Sequence, residues 1–417
     1  MAIWSSGIFW RVSNYLTITR HSEETAMDTE HSAGNVAQGI LLCLLSTLSV
    51  AAALLIAPVL PAITAAFASD PQAEMKSILA LAVPALVVAV TAPFAGWLVD
   101  RAGRKGILLA SLVLYLFCGL APFVLTSLDH IILSRIGVGL AESGFMTAST
   151  TLIGDYFKGA RREHWLVVQT STASVAAVVL TAVGGLLGQF GWRAPFSVYG
   201  LALLFIPLVM LLVREPKHQP DHTAPIQFPL GSVLPLYVIG LFAAILFFIV
   251  PIQTPFLLTE RGMGSTQLIG LTSAAGGVAV PIGGLIFKAL SRWKLSQHLL
   301  LAFVLIAIGL ALFVGDGRYA MTCAGIVITG LGCGITLPAV LTAIMSRLSF
   351  EQRGAGTGGW QTAFFLGNFV SPVLILGLSN PLHGLSSTLL VLAGVSGAAA
   401  VLALILALIP RRRVAPV

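Results

Sequence analysis

Asp, Glu, Lys and Arg interrupt this chain so rarely that the stretches between them decide its fold. The charge-free runs are 31–69, 77–99, 106–128, 164–192, 194–213, 222–259, 262–287, 295–315, 319–346 and 354–410. A helix needs about 20 apolar residues to cross the hydrocarbon core of a bilayer, and every run reaches that length. The last is too long for one crossing and divides at Ser379-Asn380-Pro381-Leu382-His383-Gly384, a cluster of turn formers. A twelfth segment, 131–154, is apolar apart from Arg135 and Glu142. Backbone polar groups in lipid have to be paired within their own segment, so the expectation is an all-α integral membrane protein with twelve transmembrane helices. Only 9% of the 417 residues are charged. A soluble domain carries about 25%, which excludes water-soluble folds, secreted disulfide scaffolds, nucleic-acid-binding domains and disordered chains.

The placement of Lys and Arg gives the orientation. Loops 99–105, 155–163, 214–221, 288–294 and 347–353, with the tail from Arg411, hold sixteen of them, and the opposite loops hold only Lys76, Arg193, Arg261 and Arg318. This positive-inside bias puts both termini in the cytoplasm and the chain in a plasma membrane, a bacterial inner membrane by expectation. The net charge of +7 is thereby a topology signal and not a nucleic-acid footprint. Cys43, Cys118, Cys323 and Cys333 fall inside predicted spans and read as small buried apolar residues. The eight His lie in tails, loops or span ends, so no metal site is expected. Residues 1–30 lack an apolar run long enough for a signal-peptide core, and Met27 is a candidate alternative start.

The longest hydrophilic stretch between spans, Arg214 to Pro229, separates six spans from six. The expected organisation is a tail over 1–36, a six-helix bundle over 37–213, a central loop over 214–230, a second bundle over 231–409 and a tail over 410–417. Such a layout points to internal duplication. A trace survives: Gly96 and Arg104 after span two match Gly284 and Arg292 after span eight, 188 residues later by numbering.

Gly96–Leu109 reads GWLVDRAGRKGILL. Between two membrane helices, Gly96 allows close helix approach and Gly103 a tight turn. Asp100 is placed to accept from free N–H groups at a neighbouring helix start. The pattern Gly-x-Leu-x-Asp-Arg-x-Gly-Arg-Lys resembles the signature of the major facilitator superfamily. Further likenesses are Arg135-Ile136-Gly137-Val138-Gly139, Gly154-Asp155-Tyr156-Phe157 and Gly191-Trp192-Arg193-Ala194-Pro195-Phe196. The resemblance covers residues 37–410. It implies two six-helix bundles that rock about a central cavity, and a cytoplasmic gate built from Gly96, Asp100, Arg101, Gly103, Arg104 and Asp155. Asp100 would meet the start of span eleven near Gly354–Gly358, and the cluster of Asp100, Arg104 and Asp155 would lock the outward-open state and break on inward opening.

Arg135 and Glu142 are the charged residues deep in a predicted span, where ionisable groups mark function. Seven residues apart, they share a helix face about 10 Å apart along the axis. A carboxyl buried at that depth is a candidate for loading and releasing a proton. The resemblance implies that span four lines the cavity and that this Arg position is linked to proton coupling; a purely structural polar contact is the alternative. Gln169, Gln253, Gln361 and Asn368 are further candidates for contact with substrate, with interhelical hydrogen bonding as the competing role. Gly276-Gly277, Gly283-Gly284 and Gly330-x-Gly332 read as close-packing sites, and none forms a phosphate loop.

Within the superfamily the chain looks most like the drug or sugar efflux branch driven by proton antiport, with Pro58-Val59-Leu60-Pro61-Ala62-Ile63 similar to that branch. It departs at Leu180-Thr181, where that branch has Gly-Pro, and span one lacks an acidic residue. The expectation is a monomeric transporter of a small organic solute. It needs no cofactor beyond the proton gradient, and its partners are its substrate, protons and the lipid bilayer. Uptake by symport and a non-transporting membrane role stand as alternatives. An enzyme is not expected, since no nucleophile–base or metal constellation occurs.

Overall fold

The computed structural model describes residues 34–216, 228–315, 317–349 and 352–408. Met27 and most of the expected amino-terminal tail, residues 217–227 of the central loop and residues 409–417 lie outside the described residues. The described chain is helical and contains no strand. Twelve helices are long and apolar enough to span a membrane. They are α1 (Val36–Ala66), α2 (Ala73–Ala102), α3 (Arg104–Phe123), α4 (Leu128–Tyr156), α5 (Gly159–Phe190) and α6 (Ala194–Leu212). The second set is α7 (Leu230–Glu260), α8 (Thr266–Ala289), α9 (Leu295–Val314), α10 (Tyr319–Met345), α11 (Arg353–Ser379) and α12 (Leu385–Leu408).

Local chemistry sets several boundaries. Asn35 and Gln38 form a reciprocal capping box at the start of α1. Gln38 Nε2 also donates to Leu212 O at 2.8 Å, tying the start of α1 to the end of α6. Gly103 adopts φ 90°, a conformation that favours glycine, and breaks α2 from α3 in a single residue. The expected turn before α12 is present, with positive φ at His383 and Gly384. α6 opens as a 3-10 helix over Ala194–Leu201 before turning α-helical.

Two cores divide the molecule. One is built on residues of α1–α6 such as Leu45, Tyr115, Phe145 and Tyr199. The other is built on α7 and α9–α12, through Leu246, Phe303, Val340 and Leu389. Between membrane helices the drive is close packing rather than exclusion from water, so small residues at contacts matter. A Cβ at Gly330 would lie 2.8 Å from Gly276 O, and one at Gly332 would lie 2.7 Å from Ala302 O. The expected role of these glycines in close packing is what the geometry shows.

One end of the molecule carries the basic loops, and the other carries few Lys or Arg. The bundles meet at the sparse end. There Gln189 Nε2 donates to Gln267 Oε1 at 2.6 Å, and a Cβ at Gly185 would lie 2.7 Å from the Gly270 Cα. Phe248 and Ile252 of α7 are buried in the amino-terminal core. At the basic end the bundles part. Leu285 on α8 and Phe94 and Trp97 on α2 are exposed there. A Cβ at Gly96, Gly354 or Gly358 would meet nothing within 4 Å. The close helix approach expected at Gly96 is therefore not made, because nothing packs against this face of α2.

Candidate functional site

The signature loop builds a charge cluster at the basic end. Arg104 Nε lies 2.6 Å from Asp155 Oδ2, and its guanidinium reaches Asp100 Oδ1 at 3.6 Å. One guanidinium thus links α2, α3 and α4, and the cluster is intact in this conformation rather than broken. Asp100 keeps 58% of its side-chain exposure and has no partner on α11. Arg101 stands apart, over the Trp97 ring at 5.5 Å.

Glu215 completes this cluster, and sequence reasoning missed it. Its two carboxylate oxygens accept from the backbone N–H of Arg104 at 2.7 Å and of Lys105 at 2.8 Å. It thereby caps the positive end of the α3 dipole, the role expected of a carboxylate at a helix start. Lys105 Nζ donates to Met210 O at 2.8 Å, and the Tyr156 hydroxyl accepts from Arg214 N at 2.9 Å and donates to Arg214 O. The end of α6 and the start of the central loop are fixed to the gate by these contacts. Only the acidic residue next to Arg214 hinted at this, and nothing in one dimension pairs it with a turn 111 residues earlier.

Arg135 and Glu142 share a face of α4 as their spacing requires, at 0% and 2% exposure. The resemblance suggested the cavity wall. The structure instead buries the pair inside the amino-terminal bundle. Arg135 donates to the Tyr199 hydroxyl at 2.9 Å and to Cys118 O at 2.8 Å, with Gly119 O at 3.4 Å. Its guanidinium lies over the rings of Phe196 and Tyr199, at 5.2 and 5.0 Å. Glu142 makes no ion pair with it, and Glu142 Oε1 and Arg135 Nε are buried without a hydrogen-bond partner. Tyr115 packs edge-on against Phe145, one turn from Glu142, and its hydroxyl donates to Leu48 O on α1 at 2.7 Å.

The remaining polar candidates are spread over three helices. Gln169 on α5 accepts a 3.5 Å hydrogen bond from Thr150. Gln253 on α7 is buried at 3% exposure, and Gln361 on α11 is half-buried. Asn368, on the same face of α11 as Gln361, is buried with its Oδ1 unpartnered. Beside Asn368 the rings of Phe247, Phe248 and Phe364 cluster at centroid distances of 4.9–5.8 Å. Phe247 and Phe364 pack against both cores, so this aromatic group stands where the bundles join. A separate cavity of about 580 Å³ is lined by Thr47, His164, Val168, Ser171, Thr172 and their neighbours on α5. Its walls come from α1 and α5 alone, which makes it a groove of the amino-terminal bundle and not the cleft between bundles.

Two six-helix bundles, joined at the sparse end and enclosing buried polar groups, have the architecture of a membrane transporter. Residues 42–318 and 296–417 match the sequence profile of the Major Facilitator Superfamily, and the chain belongs to that family. It is an integral membrane transporter and not an enzyme. It is 26% identical over 326 residues to the class B tetracycline resistance protein of Escherichia coli, covering 73% of this chain and 79% of that one. Its fold is similar to that of a D-xylose-proton symporter, with TM-score 0.72 and 15% identity over 88% of this chain and 96% of the other. It is also similar to a bacterial homologue of the human lysosomal transporter Spinster in an inward-facing conformation. That match has TM-score 0.68 and 18% identity over 88% of this chain and 94% of that one.

Proposed function

We propose that this chain exports a small organic solute in exchange for protons, by alternating access, from a plasma membrane of the bacterial inner-membrane kind. Both termini are cytoplasmic in this reading and the working unit is a monomer. The proton gradient is the energy source. With the basic end in the cytoplasm, the structure is the inward-open form. Closure would bring Asp100 to the first turn of α11 at Gly354–Gly358, where free N–H groups await an acceptor.

The observation that carries this reading is the state of Glu142. Its carboxyl is buried, and the nearby arginine donates elsewhere. Such a group changes its protonation without first breaking an ion pair, which suits a proton carrier. Efflux is favoured by the likeness to a tetracycline resistance protein. Neutral or weakly charged amphiphilic solutes suit an interior whose buried charged residues among those described are Arg135 and Glu142.

Everted vesicles carrying a preformed pH gradient test direction and coupling together. A panel including tetracycline and other amphiphiles is added, and a substrate of an antiporter dissipates the gradient. A solute that enters only down the gradient in the opposite sense assigns symport instead. Glu142→Gln is expected to lower pH-driven transport by about 100-fold while solute binding persists. Full pH-driven activity in that variant rejects Glu142 as the carrier.

A further inference from the structure

We propose that Tyr199 is a positioning residue for proton coupling: it holds Arg135 away from Glu142 and so sets the pH at which Glu142 exchanges its proton. The inference rests on the reading of Glu142 as proton carrier and adds the device that tunes it.

The device begins in the backbone of α6. A 3-10 helix of eight residues, Ala194–Leu201, is long for its kind, since such helices rarely run past 3–4 residues and often mark a functional segment. Three residues per turn place Phe196 and Tyr199 one above the other, and their rings stack with centroids 6.2 Å apart and planes 19° apart. Both rings face the Arg135 guanidinium. An α-helix would rotate position 199 away from 196 by about 60° and lose one of the two contacts. The Tyr199 ring is itself fenced in. The Tyr115 ring lies 4.8 Å away, and a Cβ at Gly119 would run into Tyr199.

The fixed fork of a guanidinium makes this position decisive. One arm is taken by the Tyr199 hydroxyl and the other by the carbonyls of Cys118 and Gly119. Arg135 Nε and Glu142 Oε1 are both left without partners on one helix face. A buried charge two turns from a buried carboxyl would ordinarily pair with it, because an unpaired carboxylate in this setting is costly. The ionisable groups that face Glu142 are Arg135 on its own helix, Tyr115 from α3 and Tyr199 from α6. α2 approaches through Pro84 and Val87 against Gly139, and α1 through Leu48 O, which already accepts from Tyr115.

Removing the Tyr199 hydroxyl frees one arm of Arg135 to turn toward Glu142 and stabilise its carboxylate. The test uses the full-length chain in vesicles of phosphatidylethanolamine and phosphatidylglycerol and needs no substrate. Infrared titration follows the carboxylic-acid stretch of Glu142, identified by its loss in Glu142→Gln. Tyr199→Phe is expected to move the midpoint to lower pH by about one unit or more. Phe196→Leu, which removes a ring and keeps the hydroxyl, is expected to leave the midpoint in place. An unmoved midpoint in Tyr199→Phe overturns the proposal, and so does an equal shift in Phe196→Leu, which would assign the hold to packing. Full pH-driven transport in Glu142→Gln, by contrast, rejects Glu142 as carrier and leaves the infrared result standing.

Discussion

The two bundles have six spans each and are held together by different chemistry. The amino-terminal bundle holds both of the Asp, Glu, Lys or Arg side chains that are buried among the described residues, Arg135 and Glu142, and carries the Arg104 cluster at its basic end. The carboxy-terminal bundle buries no Asp, Glu, Lys or Arg among the described residues; its buried polar groups are Gln253, His298, Asn368 and hydroxyls. It relies on backbone-to-backbone packing, which the amino-terminal bundle also uses where Gly184 meets Leu55 O and Gly139 meets Pro84 O. A Cβ at Gly309 would lie 2.6 Å from Thr329 N, and one at Gly325 would lie 2.6 Å from Gly309 O. An intramembrane charge is costly and persists where it does a task, whereas neutral close contact is the cheapest way to join helices in lipid. The division suggests that proton handling belongs to the first half and stiffness to the second.

This contrast is open to attack from both sides. Loss of charge should disable the first bundle with little effect on folding, and added bulk should unfold the second. The largest effect is expected from Gly334→Val, whose side chain would be driven into Val280 O and the Gly283 Cα of α8. Backbone cannot rotate aside, so a loss of about 3 kcal/mol is expected, read as a lowered melting temperature and poor monodispersity in detergent. Gly394→Val on α12 is the control. Nothing lies within 4 Å of a Cβ there, and that variant should remain folded. Equal damage from both would mean that tight packing is not what distinguishes this half.

A smaller effect is expected from Glu215→Ala, which removes the cap on α3. The cost is about 1 kcal/mol, confined to the first turn. Amide exchange at Arg104 and Lys105 should accelerate about fivefold, while amides deep in α4 stay protected. Uniform acceleration would show that Glu215 supports the whole bundle. The smallest effect concerns the sparse end, where Lys76 Nζ lies 2.9 Å from Asp70 and 3.0 Å from Asp129. The Lys76 hydrogen bond holds the Asp70 carboxyl below its ordinary value of 3.8. Its contribution to stability is thus present above pH 3.8 and fades as pH falls through the lowered value. Lys76→Met should flatten that acid-side loss in thermal scans and leave neutral-pH stability nearly unchanged; an unaltered acid limb would show that this ion pair contributes nothing.

Much of the fold could be read in one dimension because the bilayer constrains it so strongly. Segment length and absence of charge are local properties, and they located all twelve helices, including the break at Ser379–Gly384. The turn at Gly103 and the shared face of Arg135 and Glu142 are equally local, since they follow from a glycine's φ and from helical periodicity. The site was less legible. Gly96 was expected in a close contact and faces open space, because a contact between bundles depends on how they sit against each other and not on the local sequence. The bond from Arg135 to Tyr199 was not legible at all, because hydrogen-bond competition is settled by whichever acceptor the fold brings nearest.

The sequence by itself determined that this chain spans a membrane twelve times, which loops carry the positive charge, and which residues share a helix face. Those outcomes depend on hydrocarbon thickness, the cost of exposed backbone in lipid and the pitch of a helix. Only the tertiary structure decided that Glu215 caps α3 and that Tyr199 takes one arm of Arg135. These partners lie 64 and 111 residues apart in the chain. Pairings at that range are fixed by how whole helices pack and tilt, which no short stretch of sequence encodes.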